Sequence, residues 1–329
     1  MPGLQAKSYR IASIPGDGIG IEVVESTIEV LKQLSLTLGT FNIEFTHIPW
    51  GTVYYKEHGR CVDPDVLNIL RRFDATLFGA VGAPDVPDYI SLWGLLLAIR
   101  GPLQLYANVR PDIDWLLIRE NSEGEYAGQG GRSHLGQPWE TATEVSIFTR
   151  VGIERIMRFA FDAARKRPKK FLTVVTKSKS KPMTVRMVNN PTSLDTIVGT
   201  NLHMDILSDL AAALAGSIGV APSSNLDPTR KNPSLFEPVH GSAFDITGKG
   251  VANPVATFLS ATEMLDWLGE KDASKKLITC GENVCEAGIL TPDLHGTAST
   301  KDVVQAVCDE IVDLYERPPR VIRHPTKRF

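Results

Sequence analysis

The chain has 329 residues, of which 43% are hydrophobic and 22% charged, a mixture typical of a globular protein with two domains or one large one. Its net charge of −3 gives no reason to expect a nucleic-acid partner, and no apolar run is long enough to span a membrane. The four scattered cysteines form no Cys-x-x-Cys pair and the N-terminus has no apolar signal core, so we expect a reducing, cytoplasmic location.

The predicted elements alternate between strands and helices along the chain. In order, we predict elements over residues 11–14 (strand), 22–34 (helix), 41–50 (strand), 63–73 (helix), 75–81 (strand), 112–121 (strand), 151–167 (helix), 169–178 (strand), 194–201 (strand), 200–217 (helix), 251–270 (helix) and 300–316 (helix). This alternation predicts an α/β architecture, in which helices pack against a sheet. No change in composition marks a domain boundary.

The first turn contains three glycines, Gly16, Gly18 and Gly20, between a predicted strand and a predicted helix. Their spacing is Gly-x-Gly-x-Gly, whereas a classical Rossmann turn has Gly-x-Gly-x-x-Gly. In addition, Asp17 lies inside the turn, where its carboxylate would meet an incoming anion. The pattern therefore argues against a classical Rossmann site.

The predicted helix over residues 200–217 carries an unusual pair of acids. Asp205 and Asp209 are four residues apart, so they lie on one face of the helix and repel each other. A solvated surface would explain them, and so would a divalent cation held between two carboxylates. The helix alone leaves both explanations open.

A second glycine-rich segment, residues 235–256, includes His240, Asp245 and Asn253. A long loop within a compact domain is usually functional, and glycines let its backbone approach a ligand closely. The carboxylate of Asp245 would accept hydrogen bonds from a ribose diol and repel a 2′-phosphate. An ordinary irregular loop is the alternative.

Four segments resemble the metal-dependent β-decarboxylating dehydrogenases, a family that includes isocitrate, isopropylmalate and tartrate/D-malate dehydrogenases. The segments are PGDGIG, RENSEGEYAG, NLHMDILSDLAAALAGSIGVAPSSNL and FEPVHGSAFDITGKGVANPVA, and they follow the family's order over nearly the whole chain. Two further segments, SLWGLLLAIR and NNPTSLDTIVGTNLHMDILSD, are most similar to the tartrate/D-malate branch.

The resemblance implies an isopropylmalate dehydrogenase-like two-domain α/β fold with a large mixed sheet flanked by helices, not a classical Rossmann fold. It implies a large domain over residues 1–105 and 216–329, which holds the cofactor loop and the glycine turn. It also implies a small domain over residues 106–215, shortened relative to the family, with substrate, metal and dimer contacts. Relatives are homodimers whose active site is shared between subunits.

The implied activity is NAD- and Mg²⁺- or Mn²⁺-dependent oxidation of a small 2R-hydroxy dicarboxylic acid, D-malate or tartrate, with β-decarboxylation of malate to pyruvate and CO₂. By resemblance, Asp205 and Asp209 are metal ligands, and Tyr126 and Lys177 are the catalytic acid and base. The residues implied to bind substrate are Trp93, Arg100, Arg110 and Arg119, and those implied to bind the cofactor are His240, Gly241, Ser242, Asp245 and Asn253.

Two of these residues bear on selectivity. Asp245 matches the position that binds the adenosine ribose in NAD-specific relatives, whereas relatives that use NADP have basic or aromatic residues in this region. Trp93 stands where the isopropylmalate branch forms an apolar pocket for a branched side chain. Because an indole leaves little room at C3 of the substrate, Trp93 favours D-malate or tartrate over isocitrate or isopropylmalate.

The chain departs from the family in the connection 177–183, where relatives have a further helix, a further strand and an aspartate that is the third metal ligand. Lys181 and Pro182 stand in its place, Lys179 replaces an asparagine, and a second shortening follows Arg110. Since a lost carboxylate weakens a hard-metal site, we expect weak metal binding, and the lost helix should uncover part of the small domain's core. The alternatives are an isocitrate or isopropylmalate dehydrogenase, or a catalytically impaired NAD-binding paralogue.

Overall fold

The computed structural model describes residues 6–112 and 114–316. The strands are β1 (Lys7–Gly16), β2 (Phe41–His47), β3 (Ala75–Ala80), β4 (Ala107–Asp112), β5 (Trp115–Glu120), β6 (Gly124–Ser133), β7 (Thr141–Ile147), β8 (Leu172–Val175), β9 (Thr196–Gly199), β10 (Pro222–Leu226) and β11 (Ser234–Pro238). The helices are α1 (Gly20–Leu38), α2 (Thr52–His58), α3 (Val66–Leu70), α4 (Asp88–Ser91), α5 (Ala98–Arg100), α6 (Arg150–Lys166), α7 (Ser180–Asn189), α8 (Asn201–Ala215), α9 (Val255–Leu268), α10 (Lys271–Glu286) and α11 (Thr300–Glu316). A π-helix, Leu92–Leu97, joins α4 to α5.

Within the described residues, nine strands form one mixed sheet in the order β2-β1-β3-β11-β10-β4-β5-β9-β8. Strand pairs toward both edges are parallel, whereas β11–β10, β10–β4 and β4–β5 in the middle are antiparallel. This mixed sheet, flanked by helices, confirms the predicted α/β fold class. The division into two domains stays a prediction; it would fall between the neighbouring strands β10 and β4.

The core follows from the apolar periodicity of the helices. On α1, for example, Val23, Val24, Val30 and Leu31 are fully buried, as their helical spacing predicts. Burial of one such side chain stabilises the fold by roughly 1.5–3 kcal/mol. A separate cluster, built around Trp115, Met187, Ile197, Met204 and Leu207, lies within the segment 106–215.

The exposed hairpin of β6 and β7 was not predicted from the sequence. Nearly all of its residues face solvent, so it lacks the apolar alternation that identifies a half-buried strand. Strands β10 and β11 were also not predicted. In β10 the buried residues include Ser223, Ser224 and Asn225, and a run of polar residues is typical of a loop.

An apolar cavity of about 740 Å³ opens between α6, the strands β8 and β9, and the start of α8. Ile153, Met157 and Val174 line it, and the side chain of Val174 is 44% exposed. The cavity lies directly before the shortened connection, at the end of β8. No helix in the described residues is long and apolar enough to cross a membrane.

Candidate active site

The glycine turn after β1 packs against protein backbone, which explains its departure from the Rossmann spacing. A β-carbon added to Gly16 would lie 1.9 Å from the carbonyl oxygen of Ala80, and one added to Gly18 would lie 2.0 Å from that of Ser242. Asp17 is buried and accepts hydrogen bonds from both the backbone N–H and the hydroxyl of Thr52, at 2.8 and 2.6 Å. The turn therefore holds the glycine-rich loop against β1, and its carboxylate serves the fold.

Asp205, in the second turn of α8, is the centre of a polar cluster. One carboxylate oxygen, Oδ1, accepts a short hydrogen bond from Arg119 and lies 3.4 Å from Nη2 of Arg110. The other oxygen, Oδ2, accepts from the Tyr126 hydroxyl at 3.0 Å. The guanidinium groups offset the repulsion between Asp205 and Asp209, since Nη1 of Arg110 is also 3.7 Å from Asp209. Asp205 is therefore paired within a polar cluster, whereas the Asp209 side chain at its edge is 60% exposed.

Arg110 and Arg119 come from the paired strands β4 and β5, where Asn108 lies opposite Arg119. Both side chains are buried: Nε of Arg110 donates to Asn108 at 2.9 Å, and Nε of Arg119 donates to Asn201 at 2.7 Å. Burial lowers the pKa of Arg119 to about 10 and also lowers that of Arg110, although Asp205 opposes both shifts. Two desolvated cations around one carboxylate form a site that favours a further anion.

Tyr126 lies beneath a guanidinium and beside a carboxylate. The Arg119 guanidinium carbon is 5.5 Å from the centre of the Tyr126 ring. Burial, together with the charge of Asp205 and its hydrogen bond, raises the pKa of the phenol above 10. Partial burial also raises the pKa of Asp209, against the opposing charge of Arg110. Because its own pKa is raised, the Tyr126 phenol is a neutral proton donor throughout the physiological pH range.

Arg100 and His240 line a second, smaller cavity of about 150 Å³, which Arg110 also borders. Arg100 forms a buried ion pair with Glu237, and Asn225 donates to the same Glu237 oxygen at 2.8 Å. Nε of Arg100 and Nε2 of His240 are buried and lack a hydrogen-bond partner among the described residues. Because buried polar atoms are normally paired, these two mark where a ligand would bind.

The loop between β11 and α9 carries the predicted cofactor residues. Asp245 and Gly241 are exposed, and the Asp245 carboxylate forms no hydrogen bond with a described residue. Asn253 is buried, and its side chain donates to Asp293 at 2.9 Å and accepts from the Val255 backbone at 3.0 Å. Asp245 is thus free to bind a ligand, whereas the Asn253 side chain anchors the loop.

The structure does not join Lys177 to the cluster around Asp205. Lys177 is exposed on a short 3₁₀ turn, and its amino group forms no hydrogen bond or ion pair with the described residues. Its neighbours in the 740 Å³ cavity include Glu123 and Glu125. Lys181 and Pro182 lie in the first turn of α7, and both are exposed.

Asp205 and Asp209 carry carboxylate oxygens, the hard donors that a divalent cation prefers. In the part of the chain that the structure describes, no group of three or more His, Cys, Asp or Glu side chains is placed to hold a metal ion. Mg²⁺ is often bound through one or two carboxylates, with water and substrate oxygens completing its coordination. The residues therefore fit a weakly held cation that depends on substrate.

Sequence reasoning missed the residues that hold the arginines, which are Asn108, Asn201, Ser208, Asn225 and Glu237. Asn201, Ser208 and Glu237 are far in sequence from the arginines they contact, so no local pattern identifies them. Asn108 lies two residues from Arg110, and Asn225 acts through Glu237. Trp93 was predicted to bind substrate; it lies on the π-helix, is 41% exposed, and its ring packs on Gly128 of β6.

Comparisons with known proteins agree with this geometry. The profile of the isocitrate/isopropylmalate dehydrogenase family matches residues 10–180 and 181–307. A probable tartrate dehydrogenase/decarboxylase of Agrobacterium vitis is 52% identical over 351 positions, covering 93% of this chain and 96% of that protein. The D-malate dehydrogenase (decarboxylating) of Escherichia coli K12 is 42% identical over 359 positions, covering 93% and 99%.

The same comparisons bear on the shortened connection. The family match is interrupted between residues 180 and 181, inside the connection 177–183. Because 93% of 329 residues is about 306, the alignment of 351 positions with the Agrobacterium vitis protein contains about 45 positions that have no residue in this chain. A sizeable part of the relative thus has no counterpart here.

Solved structures share the fold. The isocitrate dehydrogenase of Methylococcus capsulatus superposes with a TM-score of 0.84 at 30% identity, covering 92% of this chain and 99% of that one. A β-decarboxylating dehydrogenase of Thermococcus kodakarensis gives a TM-score of 0.77 at 39% identity, covering 93% and 97%. The predicted resemblance is confirmed: the chain belongs to the isocitrate/isopropylmalate dehydrogenase family.

Proposed function

We propose that this chain is an NAD- and Mg²⁺- or Mn²⁺-dependent dehydrogenase that oxidises D-malate or tartrate at C2 and decarboxylates malate to pyruvate and CO₂. The names of its relatives support a decarboxylating dehydrogenase of hydroxy acids. The observation that carries the proposal is the pair of buried guanidiniums, Arg110 and Arg119, which share Asp205 with the phenol of Tyr126. NADH formation from a panel of 2-hydroxy acids with Mn²⁺ tests it, and no NADH from any acid would argue against it.

The arginines would bind and orient the two carboxylates of the substrate. A guanidinium matches a carboxylate in a bidentate geometry, and the unpaired Nε of Arg100 supplies a further donor. The loop that carries Asp245 would hold the nicotinamide cofactor, which would supply a hydride acceptor for C2, and Asp205 and Asp209 would hold a cation, which would supply polarisation of the hydroxyl and carboxylate oxygens. Tyr126, protonated because of its raised pKa, would give its proton to the carbon that CO₂ leaves.

Lys177 is proposed as the base that takes the hydroxyl proton, in a homodimer where a second copy supplies it. This arrangement explains why the exposed lysine has no partner among the described residues of its own subunit. The same proposal includes a division into two domains. The large domain comprises residues 1–105 and 216–329, and the small domain comprises residues 106–215. This division would place the 150 Å³ cavity between domains, because Arg100 and His240 belong to the large one and Arg110 to the small one.

NAD should bind more tightly than NADP, because the exposed Asp245 accepts from ribose hydroxyls and repels a 2′-phosphate. We expect a preference of about tenfold or more in Kd, measured by titrating each dinucleotide into the protein, since like-charge contacts cost several kcal/mol. Asp245→Asn should reduce the preference. Equal or tighter binding of NADP by the unmodified chain would contradict the assignment.

Trp93→Ala should admit acids with larger groups at C3. The variant removes the indole that is proposed to limit the substrate at C3, and such apolar differences change selectivity by roughly 10–200-fold. The measurement is kcat/KM for 3-isopropylmalate relative to D-malate. If the variant gains nothing on the larger acid, Trp93 is a packing residue only.

A catalytically impaired NAD-binding paralogue is the second candidate. The break in the family match between residues 180 and 181 favours it, as does the pairing of Asp205 and Asp209 without a third described acid. Equilibrium dialysis discriminates the two: such a paralogue retains NAD but holds Mn²⁺ poorly even with D-malate present. An isocitrate or isopropylmalate dehydrogenase is disfavoured by Trp93.

A further inference from the structure

We propose that Gly128 is a specificity-determining residue, because it leaves the slot occupied by the indole of Trp93, the residue proposed above to limit the substrate at C3. The inference rests on the proposed function and extends it to a residue in a different strand. A β-carbon on Gly128 would lie 2.3 Å from Cη2 and 2.5 Å from Cζ3 of Trp93. Such distances are far inside van der Waals contact, so any other side chain at this position displaces the indole.

The backbone around Gly128 is built for this contact. Pairing between β6 and β7 is irregular between Gly124, opposite Ile147, and Gln129, opposite Val145. Between these two pairs, β6 advances by five residues and β7 by only two, so the extra residues of β6 form a bulge. Gly128 lies in it with φ of +67°, a conformation that favours glycine.

The bulge also carries Tyr126, whose hydroxyl donates to Asp205. On the opposite side, Trp93 belongs to the π-helix that continues through α5 to Arg100. The contact between Trp93 and Gly128 thus links two segments. One is the helical segment that ends at Arg100, a proposed substrate-binding residue, and the other is β6, which carries Tyr126, the proposed proton donor. Since the indole is 41% exposed, it has room to swing away when a side chain occupies the slot.

The test compares four variants: Gly128→Ala, Gly128→Asn, Trp93→Ala, and Trp93→Ala combined with Gly128→Ala. Asparagine tolerates a positive φ better than alanine, so it separates the clash from backbone strain. Gly136→Ala is the matched control, because Gly136 has φ of +73° in the same hairpin and a β-carbon there meets nothing within 4 Å. The readout is the kcat/KM ratio of 3-isopropylmalate to D-malate.

We expect both Gly128 variants to shift this ratio toward the larger acid by roughly tenfold or more, and Gly136→Ala to leave it unchanged. In the Trp93→Ala background, Gly128→Ala should add no further shift, because the group it displaces is gone. An unchanged ratio in the Gly128 variants, or the same added shift without Trp93, would overturn the proposal.

Calorimetric binding of the two acids gives the same ratio without turnover. A chain that binds the acids and oxidises neither would refute the proposed activity, while the Gly128 shift would still be measured. If Gly128→Ala alone fails to fold, recovery of the fold in the double variant supports the clash with Trp93, and failure of both contradicts it.

Discussion

Tyr126→Phe should lower the formation of pyruvate from D-malate by roughly 10²–10⁴-fold, the contribution typical of a positioned general acid. The phenol donates to Asp205 at 3.0 Å, and its raised pKa keeps its proton in place. Because the pKa of the phenol is raised above its usual value, Tyr126 keeps its proton from about pH 7 to 9, and the decrease in pyruvate formation should be the same across that range. Pyruvate release is measured under Mn²⁺ and NAD saturation.

Tyr106→Phe is the control for this prediction. Tyr106 is also buried beneath an arginine, with the Arg155 guanidinium carbon 4.3 Å from its ring centre, but it does not contact Asp205. Its variant should retain activity. A Tyr126→Phe variant as active as Tyr106→Phe would show that another group protonates the carbon.

Restoring the family-length segment between residues 180 and 181 should strengthen Mn²⁺ binding and raise turnover, by roughly 10–100-fold or more. The proposed physical reason is a missing acid: the chain offers Asp205 and Asp209, and the resemblance implies a third carboxylate where Lys181 and Pro182 stand. The segment is taken from the Agrobacterium vitis relative, and the apparent Mn²⁺ constant is read from the rate of NADH formation.

The control insertion carries alanine in place of the ligand aspartate. It covers the apolar cavity beside β8 equally well but adds no carboxylate, so it separates metal binding from stability. NAD affinity should be the same in all three proteins, because the loop that carries Asp245 is unchanged. If the chain as it stands turns over as fast as the restored one, the assignment of the metal site is wrong.

Most elements that the sequence predicts have a buried face, although β11 and α10 also have one and were not predicted. The periodicity of α1 and the apolar runs of β3 and β5 follow directly from contact with the core. The hairpin of β6 and β7 has no such face, and β10 buries polar side chains in a network with Asn108. Neither has the pattern from which strands are recognised.

Prediction of the candidate site from the sequence is limited in the same way. The carboxylate pair on α8 was visible from spacing alone, but its meaning was not, because the arginines that pair with it are about 90 positions away. The antiparallel pairing of β4 with β5, which sets Arg110 and Arg119 on neighbouring strands, depends on a strand register that no local pattern encodes. The resemblance supplied the candidate roles, and the structure supplied the residues that hold them, such as Asn201 and Glu237.

The most direct measurement is the stoichiometry of products from D-malate, NAD and Mn²⁺ with the purified chain, followed over many hours. Oxidative decarboxylation predicts equal amounts of NADH, pyruvate and CO₂, formed slowly, dependent on Mn²⁺, and abolished by Arg119→Met, which removes the guanidinium while keeping an apolar stem. NADH without pyruvate, or formation that persists without the metal or without Arg119, would contradict a decarboxylating dehydrogenase built around Asp205.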